Sequence, residues 1–564
     1  MPGPNRLRGL TTVRALPSPT YSLLNCSGVT LANPDPVAIP SYPSSNVSHT
    51  ELISPCPSKR NSPHSLQTQS GPDLAAFFKP LPDRLGQDDM CYLQQRGALA
   101  VPEPSLQHAL LLAYIKFVHP LLPVLKLHDF FSALHLPRYG KGKMSIFLYK
   151  AVLFAASSFL DNGHFPQSDL FSRKEVSRKL FHDARLLYEF GSETDEVVLI
   201  QGLLLMTLRL DPEDGPKDAS HWNGIALSLI EKLLSPIDIS PQSSSACCGN
   251  SPGKRLWYCC YTRDQHIAIS LHPPLRLKKR PPGMSDLSEQ DFCIKPLEIP
   301  ESMGFVHQDF QFFTVQAQKE MARIFIQRTR LSHLAGQALN VRYMTQRRPS
   351  FSDFDTLISN TVFAPQDHSV SSAAQLEIHL KLCELREHWL DSKLIPSPQQ
   401  DETNLDISVL SLHQNYLYIF LEMIILLLYE PETLTMENYQ TVEAVQVHKS
   451  CRRILQRIAY LYSRGVADLF PLEILTALQP ALTSYLVKRT ENVSSTAPVS
   501  EVQVLQCIQA LDALGRIHGG VATDAVQYID NLYDSTSRTI TDEALPGESE
   551  SFLMDLLGKY GFDF

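Results

Sequence analysis

Chemistry in this chain would have to start from a few unusual residue pairings. Cysteines stand side by side at Cys247-Cys248 and Cys259-Cys260. A structural zinc site takes four ligands, usually as two close but separated pairs, and adjacent side chains diverge too far to share one tetrahedral ion. Cys259 and Cys260 also sit in a helical run beside Trp257, where core packing is the better reading. The acids of DPED, Asp211 to Asp214, are the nearest approach to the carboxylate cluster with which an all-α synthase would hold Mg²⁺ against a diphosphate. Pro212, Gly215 and Pro216 make them part of a turn. No His-Glu-x-x-His helix occurs, and YGKGKMS at Tyr139 to Ser145 lacks phosphate-loop spacing. No catalytic constellation emerges, and the reading is that the protein is not an enzyme.

The frame around these residues is helical. Leu106, Leu110, Ala113 and Phe117 recur at i, i+4, i+7 and i+11, one face of an α-helix. Trp222, Ile225, Ala226, Leu229, Ile230 and Leu233 form a second stripe, and Ile378, Leu382, Leu385 and Trp389 a third. Val447, Cys451, Ile454, Leu455, Ile458 and Leu461 form another, and Val504, Ile508 and Leu511 add one more. Alternating apolar and polar runs bounded by turn residues are scarce, which argues against a substantial sheet. Polar breaks such as Ser235 to Lys254 and Ile395 to Asp401 divide the helices without any regular repeat. The expected fold class is all-α: one large irregular multi-helix regulatory domain over 88–534, preceded by a disordered segment over 1–87 and followed by a tail over 535–564.

The chain has 564 residues, 50 Lys plus Arg and 59 Asp plus Glu, a net charge of −9. That balance excludes whole-molecule attraction to nucleic acid or an anionic membrane and leaves only local basic patches for such contacts. The most apolar run, Tyr416 to Tyr429, is 14 residues long with Glu422 inside it. It is too short for a span of ~18 residues and reads as a buried core helix, so no membrane partner is expected. The first residues lack a secretory h-region, and the 11 cysteines show no disulfide spacing. A reducing compartment follows.

The two ends differ in composition. Met1 to Leu74 holds 12 Pro and 12 Ser but only two aromatic residues, too little apolar area to offset ordering entropy. Thr541 to Phe564 carries six acids and one base, interleaved with Phe552, Leu553, Leu556, Leu557, Tyr560, Phe562 and Phe564. Acidic-hydrophobic alternation is the composition of an activation segment for a coactivator groove; a C-terminal helix docked on the body is the equal alternative. The densest basic stretch, with Arg276, Lys278, Lys279 and Arg280, reads either as a nuclear localisation patch or as a solvated loop.

Several blocks in sequence resemble the fungal-specific transcription factor domain, or middle homology region, of the binuclear zinc-cluster regulators. They begin with HPLLPVL, carrying His119 and Pro120, and continue through LFHDARLLYEFG (Leu180 to Gly191) and the segment around Trp222. The most specific block runs from Lys254 to Leu277, with Lys254, Arg255, Trp257, Arg263, Asp264 and Pro274 as its signature. DFCIKPL at Asp291 to Leu297 and the blocks at Leu412 to Pro431 and Gly465 to Leu482 follow in order. Gln265 stands where a second arginine is common, and His272 replaces part of a usual Gly-Arg-Pro.

The resemblance implies nuclear regulation of RNA polymerase II genes, for a secondary-metabolite gene cluster or a catabolic pathway. Partners would be the transcription machinery or a coactivator, with homo- or heterodimerisation open. It also implies a zinc cofactor, two ions held by six cysteines, with a basic helix in the major groove. Upstream of Asp88 only Cys26 and Cys56 are present, so those ligands are absent here and no cofactor is assigned. DNA would be reached directly or through a zinc-cluster partner, unless the sequence begins downstream of a lost segment. A cytoplasmic interaction scaffold and an all-α enzyme are the competing readings.

Overall fold

A computed structural model describes residues 77–134, 144–160, 173–209, 217–234, 252–271, 273–277, 279–297, 307–347, 361–365, 372–391, 408–429, 442–489 and 499–543. Eight helices form a first group: α1 (Gln87–Gln95), α2 (Pro104–Ala113), α3 (Leu127–Leu134), α4 (Ile146–Ser157), α5 (Arg173–Glu189), α6 (Glu196–Met206), α7 (Ala219–Leu233) and α8 (Pro252–Leu271). A second group comprises α9 (Val315–Arg342), α10 (Ser372–Asp391), α11 (Val409–Tyr429), α12 (Val442–Ser463), α13 (Leu475–Arg489), α14 (Glu501–His518) and α15 (Gly520–Glu543). Among the described residues the one strand pair is a hairpin of β1 (Tyr343–Arg347) and β2 (Thr361–Pro365), antiparallel with Tyr343 opposite Pro365. The described residues are thus all-α apart from that hairpin, as the periodicity predicts.

Local chemistry sets the helix ends. The Asp195 carboxylate accepts from the Val197 amide at 2.9 Å, and Asp218 from the His221 amide at 2.8 Å. Thr314 accepts from the Ala317 amide at 3.1 Å to open α9, and Ser500 with Gln503 forms a reciprocal box at the start of α14. After α14 the chain turns at Gly519, φ 66°, a conformation that favours glycine.

The core of the first group is α4, whose twelve residues are all buried. It packs against α2, α5 and α6. The approach to α6 is close because Gly202 has no side chain: a Cβ there would lie 2.3 Å from Phe147 Cε1. In the second group α11 lies against α9, α12, α10 and α13. The groups meet where α8 packs on α9, and again where α14 touches α5. The last helix continues to Glu543, past the boundary at 534 that composition suggests.

Among the described residues α11 is the one helix long and apolar enough to cross a membrane, yet 78% of its most apolar window is buried inside the fold. Glu422, at its centre and fully buried, accepts from Ser450 Oγ at 2.8 Å and from the guanidinium groups of Arg386 at 3.2 Å and Arg453 at 3.3 Å. A carboxylate satisfied from two neighbouring helices marks α11 as a core element of this fold.

Candidate functional site

Helix α8 carries most of the signature residues, and its periodicity sends them to different neighbours. Arg255 points to the segment between α2 and α3, where its Nη1 donates to the Leu125 carbonyl at 2.9 Å and its Nη2 to the Val124 carbonyl at 3.4 Å. Gln201 of α6 donates to the same Val124 carbonyl at 2.9 Å. His119 and Pro120 lie buried at the other end of this segment, just after a π-helical turn over Tyr114–Val118. Burial, reinforced by the Arg255 charge, pulls the His119 imidazole down to about 3.

Two turns on, adjacent residues face opposite ways. The guanidinium of Arg263 donates to Thr207 Oγ1 at 2.9 Å, to the Thr207 carbonyl at 2.7 Å and to Glu473 at 2.6 Å. Asp264 accepts from the backbone amides of Arg276 and Leu277 at 3.0 and 2.9 Å and from Asn223 at 3.3 Å. Burial raises its carboxyl to about 6, against the pull of those amides. The segment after α8 is thereby folded back onto α7, beside Trp222, whose indole meets Tyr188 edge-on at 5.6 Å. Pro274 is half-buried in that segment. Gln265 is buried too, with its amide oxygen 2.4 Å from where a Cβ on Gly336 would fall, so the departure from arginine coincides with a close approach of α8 to α9.

At the start of α8, Lys254 donates to Asp291 at 2.9 Å and to Ser285 at 3.0 Å, which anchors the DFCIKPL block. Trp257 stacks on Tyr261 at 5.2 Å. Cys259 and Cys260 are fully buried, and burial pushes the Cys259 thiol up to about 12. Cys247 and Cys248 lie outside the described residues. Among the described residues no group of three or more His, Cys, Asp or Glu side chains could hold a metal ion.

Residues beyond the signature complete the arrangement. Glu473, on a short 3-10 turn between α12 and α13, also faces Arg328 of α9 at 3.7 Å. Burial alone would raise the Glu473 carboxyl, but Arg328 and Arg263 hold it below the ordinary carboxylate range. His266 lies between: its Nε2 is 2.9 Å from Arg328, and its ring packs 4.5 Å from Phe420. Burial, with Arg328, lowers that imidazole to about 3. A cavity of about 30 Å³ beside Arg263, His266 and Glu473 has room for water. The sequence signal for Glu473 is a lone charge inside the apolar run FPLEILTAL; none marks Arg328 as its partner.

Of the basic stretch, Arg276 donates to the Ser220 carbonyl and hydroxyl at 2.6 and 3.1 Å, and Arg280 pairs with Asp286. Lys279 is exposed. Lys278 and the tail residues Phe552 to Phe564 lie outside the described residues.

The side chains of this site chiefly fasten chain segments to one another. Comparison with known proteins agrees with a domain recognised by its frame. The model of the fungal specific transcription factor domain matches residues 111–382. Cutinase transcription factor 1 beta of Fusarium vanettenii is 28% identical over 494 residues, 84% of this chain and 54% of that protein. Transcription factor cpaR of Aspergillus oryzae is 31% identical over 277 residues, 48% of this chain and 45% of its own. The fusaric acid cluster transcription factor FUB12 of Gibberella moniliformis is 23% identical over 249 residues, 43% of this chain and 36% of its own. The chain spans about half the length, or less, of these relatives. Residues 111–382, which hold α8, resemble a fungal specific transcription factor domain.

Proposed function

We propose that the protein is a nuclear transcription regulator of RNA polymerase II genes serving a secondary-metabolite gene cluster or a catabolic pathway, and not an enzyme. The observation that carries this reading is the family match laid over a helical frame whose buried charges at Arg255, Arg263 and Asp264 are occupied in holding that frame together. The names of the relatives support the pathway class: one is called a cutinase transcription factor and one a fusaric acid cluster transcription factor. DNA is reached directly or through a zinc-cluster partner, and the transcription machinery or a coactivator is the further partner. Residues 88–534 act as the regulatory body and 535–564 hold the activation segment, with Phe552, Leu553, Leu556, Leu557, Tyr560, Phe562 and Phe564 presented to the coactivator. Nuclear import draws on Lys278 and Lys279, since Arg276 and Arg280 already have partners within the fold.

The test is to tag the chain and map its chromatin occupancy under inducing conditions. Discrete promoter peaks are expected, with loss of expression of the adjoining genes on deletion. Exclusion from nuclei and absence of peaks would overturn the proposal. Binding of purified protein to a peak sequence then separates direct contact from contact through a partner.

A further inference from the structure

An open cleft of about 700 Å³ adjoins the segment clasped by Arg255. It is bounded by Lys126 and Asp129 where α3 begins, by Glu289, Cys293 and Lys295 in the segment after α8, and by Lys319 in α9. Its volume falls in the range of small-molecule sites. Its charge is unbalanced in a chain that is otherwise acidic. Three lysines border it against two carboxylates, Asp129 and Glu289, and Glu289 is already engaged by Arg323 at 2.7 Å, which leaves an excess of positive charge. Lys126, Lys295 and Lys319 have no ion-pair partner among the described residues. Three cations converging on one concavity repel one another and raise the local concentration of anions.

The walls are held in place before any ligand arrives. Lys126 follows Leu125, whose carbonyl accepts from Arg255. The carbonyl of Lys295 accepts from Gln318 Nε2 at 2.9 Å, and Gln318 adjoins Lys319. Asp291, two residues before Cys293, is fixed by Lys254 and by the Ser288 amide at 2.7 Å. Cys293 itself has φ 52°, the one positive value at a non-glycine residue among those described. Such a conformation persists where its surroundings over-determine it. A site whose backbone is already placed has only its lysine side chains left to order on binding.

We propose that this cleft binds a small organic polyanion, a metabolite bearing two or more carboxylate or phosphate groups, through Lys126, Lys295 and Lys319. Such a ligand ties together three segments, the start of α3, the turn after α8 and the first turns of α9. Binding does not depend on the regulatory reading, and failure of one leaves the other standing.

The full chain should be titrated calorimetrically with citrate and with pyrophosphate at matched ionic strength, while iodoacetamide labelling of Cys293 is followed by mass spectrometry. Exposed Cys91 serves as the internal control. Expected are saturation at one site per chain, labelling of Cys293 slowed roughly fivefold or more with Cys91 unchanged, and binding that weakens with added salt. Lys126→Ala and Lys319→Ala should each weaken binding by about tenfold. Citrate alone binding identifies a carboxylate ligand, pyrophosphate alone a phosphorylated one, and both together recognition by charge. The proposal is overturned if neither probe slows Cys293 labelling, or if the triple variant K126A/K295A/K319A binds as tightly as the natural chain. Where that variant fails to fold, protection of Cys293 in the natural chain decides.

Discussion

Replacing Arg263 by methionine should destabilise the body strongly, because three partners lose their donor together. The side chains of Arg263 and Glu473 are 6% and 16% exposed. Removing one member of a buried, hydrogen-bonded ion pair costs about 3–5 kcal/mol, mostly through the charge left behind. Glu473 keeps Arg328 at 3.7 Å and some access to water, which places R263M at the low end, about 3 kcal/mol. For a body this large that corresponds to a fall in thermal midpoint of roughly 3–6 °C. Glu473→Met should be worse, since it leaves Arg263 and Arg328 facing each other. R263M/E473M should then lose about 2 kcal/mol less than the sum of the single changes. Denaturant titration followed by circular dichroism measures all three variants. Additivity within about 0.5 kcal/mol would show that the pair is not coupled and refute the clasp.

Acid should unfold the protein steeply. His119 and His266 are held near 3 and His413 and His518 near 4 by burial, so the stability they contribute is present above about 6.5 and is lost as pH falls toward those values. With four protons taken up only on unfolding, the loss is about 5 kcal/mol per pH unit between roughly pH 6 and 4.5, and His413→Gln should flatten that slope by about a quarter in denaturant titrations across pH. Glu422→Leu should cost about 2–3 kcal/mol by stranding Arg386 and Arg453, and E422L/R386L/R453L should recover most of it; a triple variant no more stable than E422L would contradict this. Gly202→Ala should cost about 1–2 kcal/mol in spite of better helix propensity, because the new methyl meets the Phe147 ring, and F147L should relieve it, as thermal melts would register.

Periodicity makes the helices legible because burial in a helix is a local pattern. Val447, Cys451, Ile454, Leu455, Ile458 and Leu461 share a stripe in the sequence and are all buried. In the stripe Ile378, Leu382, Leu385 and Trp389 all but Leu385, which is half-buried, are buried too. The π-helical turn at Tyr114–Val118 leaves no such trace, since it shifts the register of a run that still reads as one helix. Lone charges in apolar runs signal that a partner exists without naming it. Lys150 in IFLYKAVLF finds Asp183 at 2.9 Å, and Glu422 finds arginines from two other helices. Arg263 and Glu473 are separated by 210 residues, and no local pattern carries that pairing.

The partners of the signature residues explain why the family can be recognised while the regulated pathway cannot. Arg255 ends on the carbonyls of Val124 and Leu125, Arg263 on that of Thr207 as well as on Thr207 Oγ1 and Glu473, and Asp264 on the amides of Arg276 and Leu277 as well as on Asn223. A backbone group is offered whatever side chain stands at its position, so the backbone part of these clasps reads the path of the chain and tolerates substitution around it. They fix how α8 is seated among its neighbours and carry no information about a ligand or a promoter. Selectivity has to come from surfaces built of side chains. The lysine-lined cleft is such a surface: Lys126, Lys295 and Lys319 sit on segments that the clasps hold in place but whose side chains the clasps do not use. A frame of this kind can keep its geometry while the residues facing the cleft are exchanged, and each exchange would alter which anion is accepted without disturbing the fold.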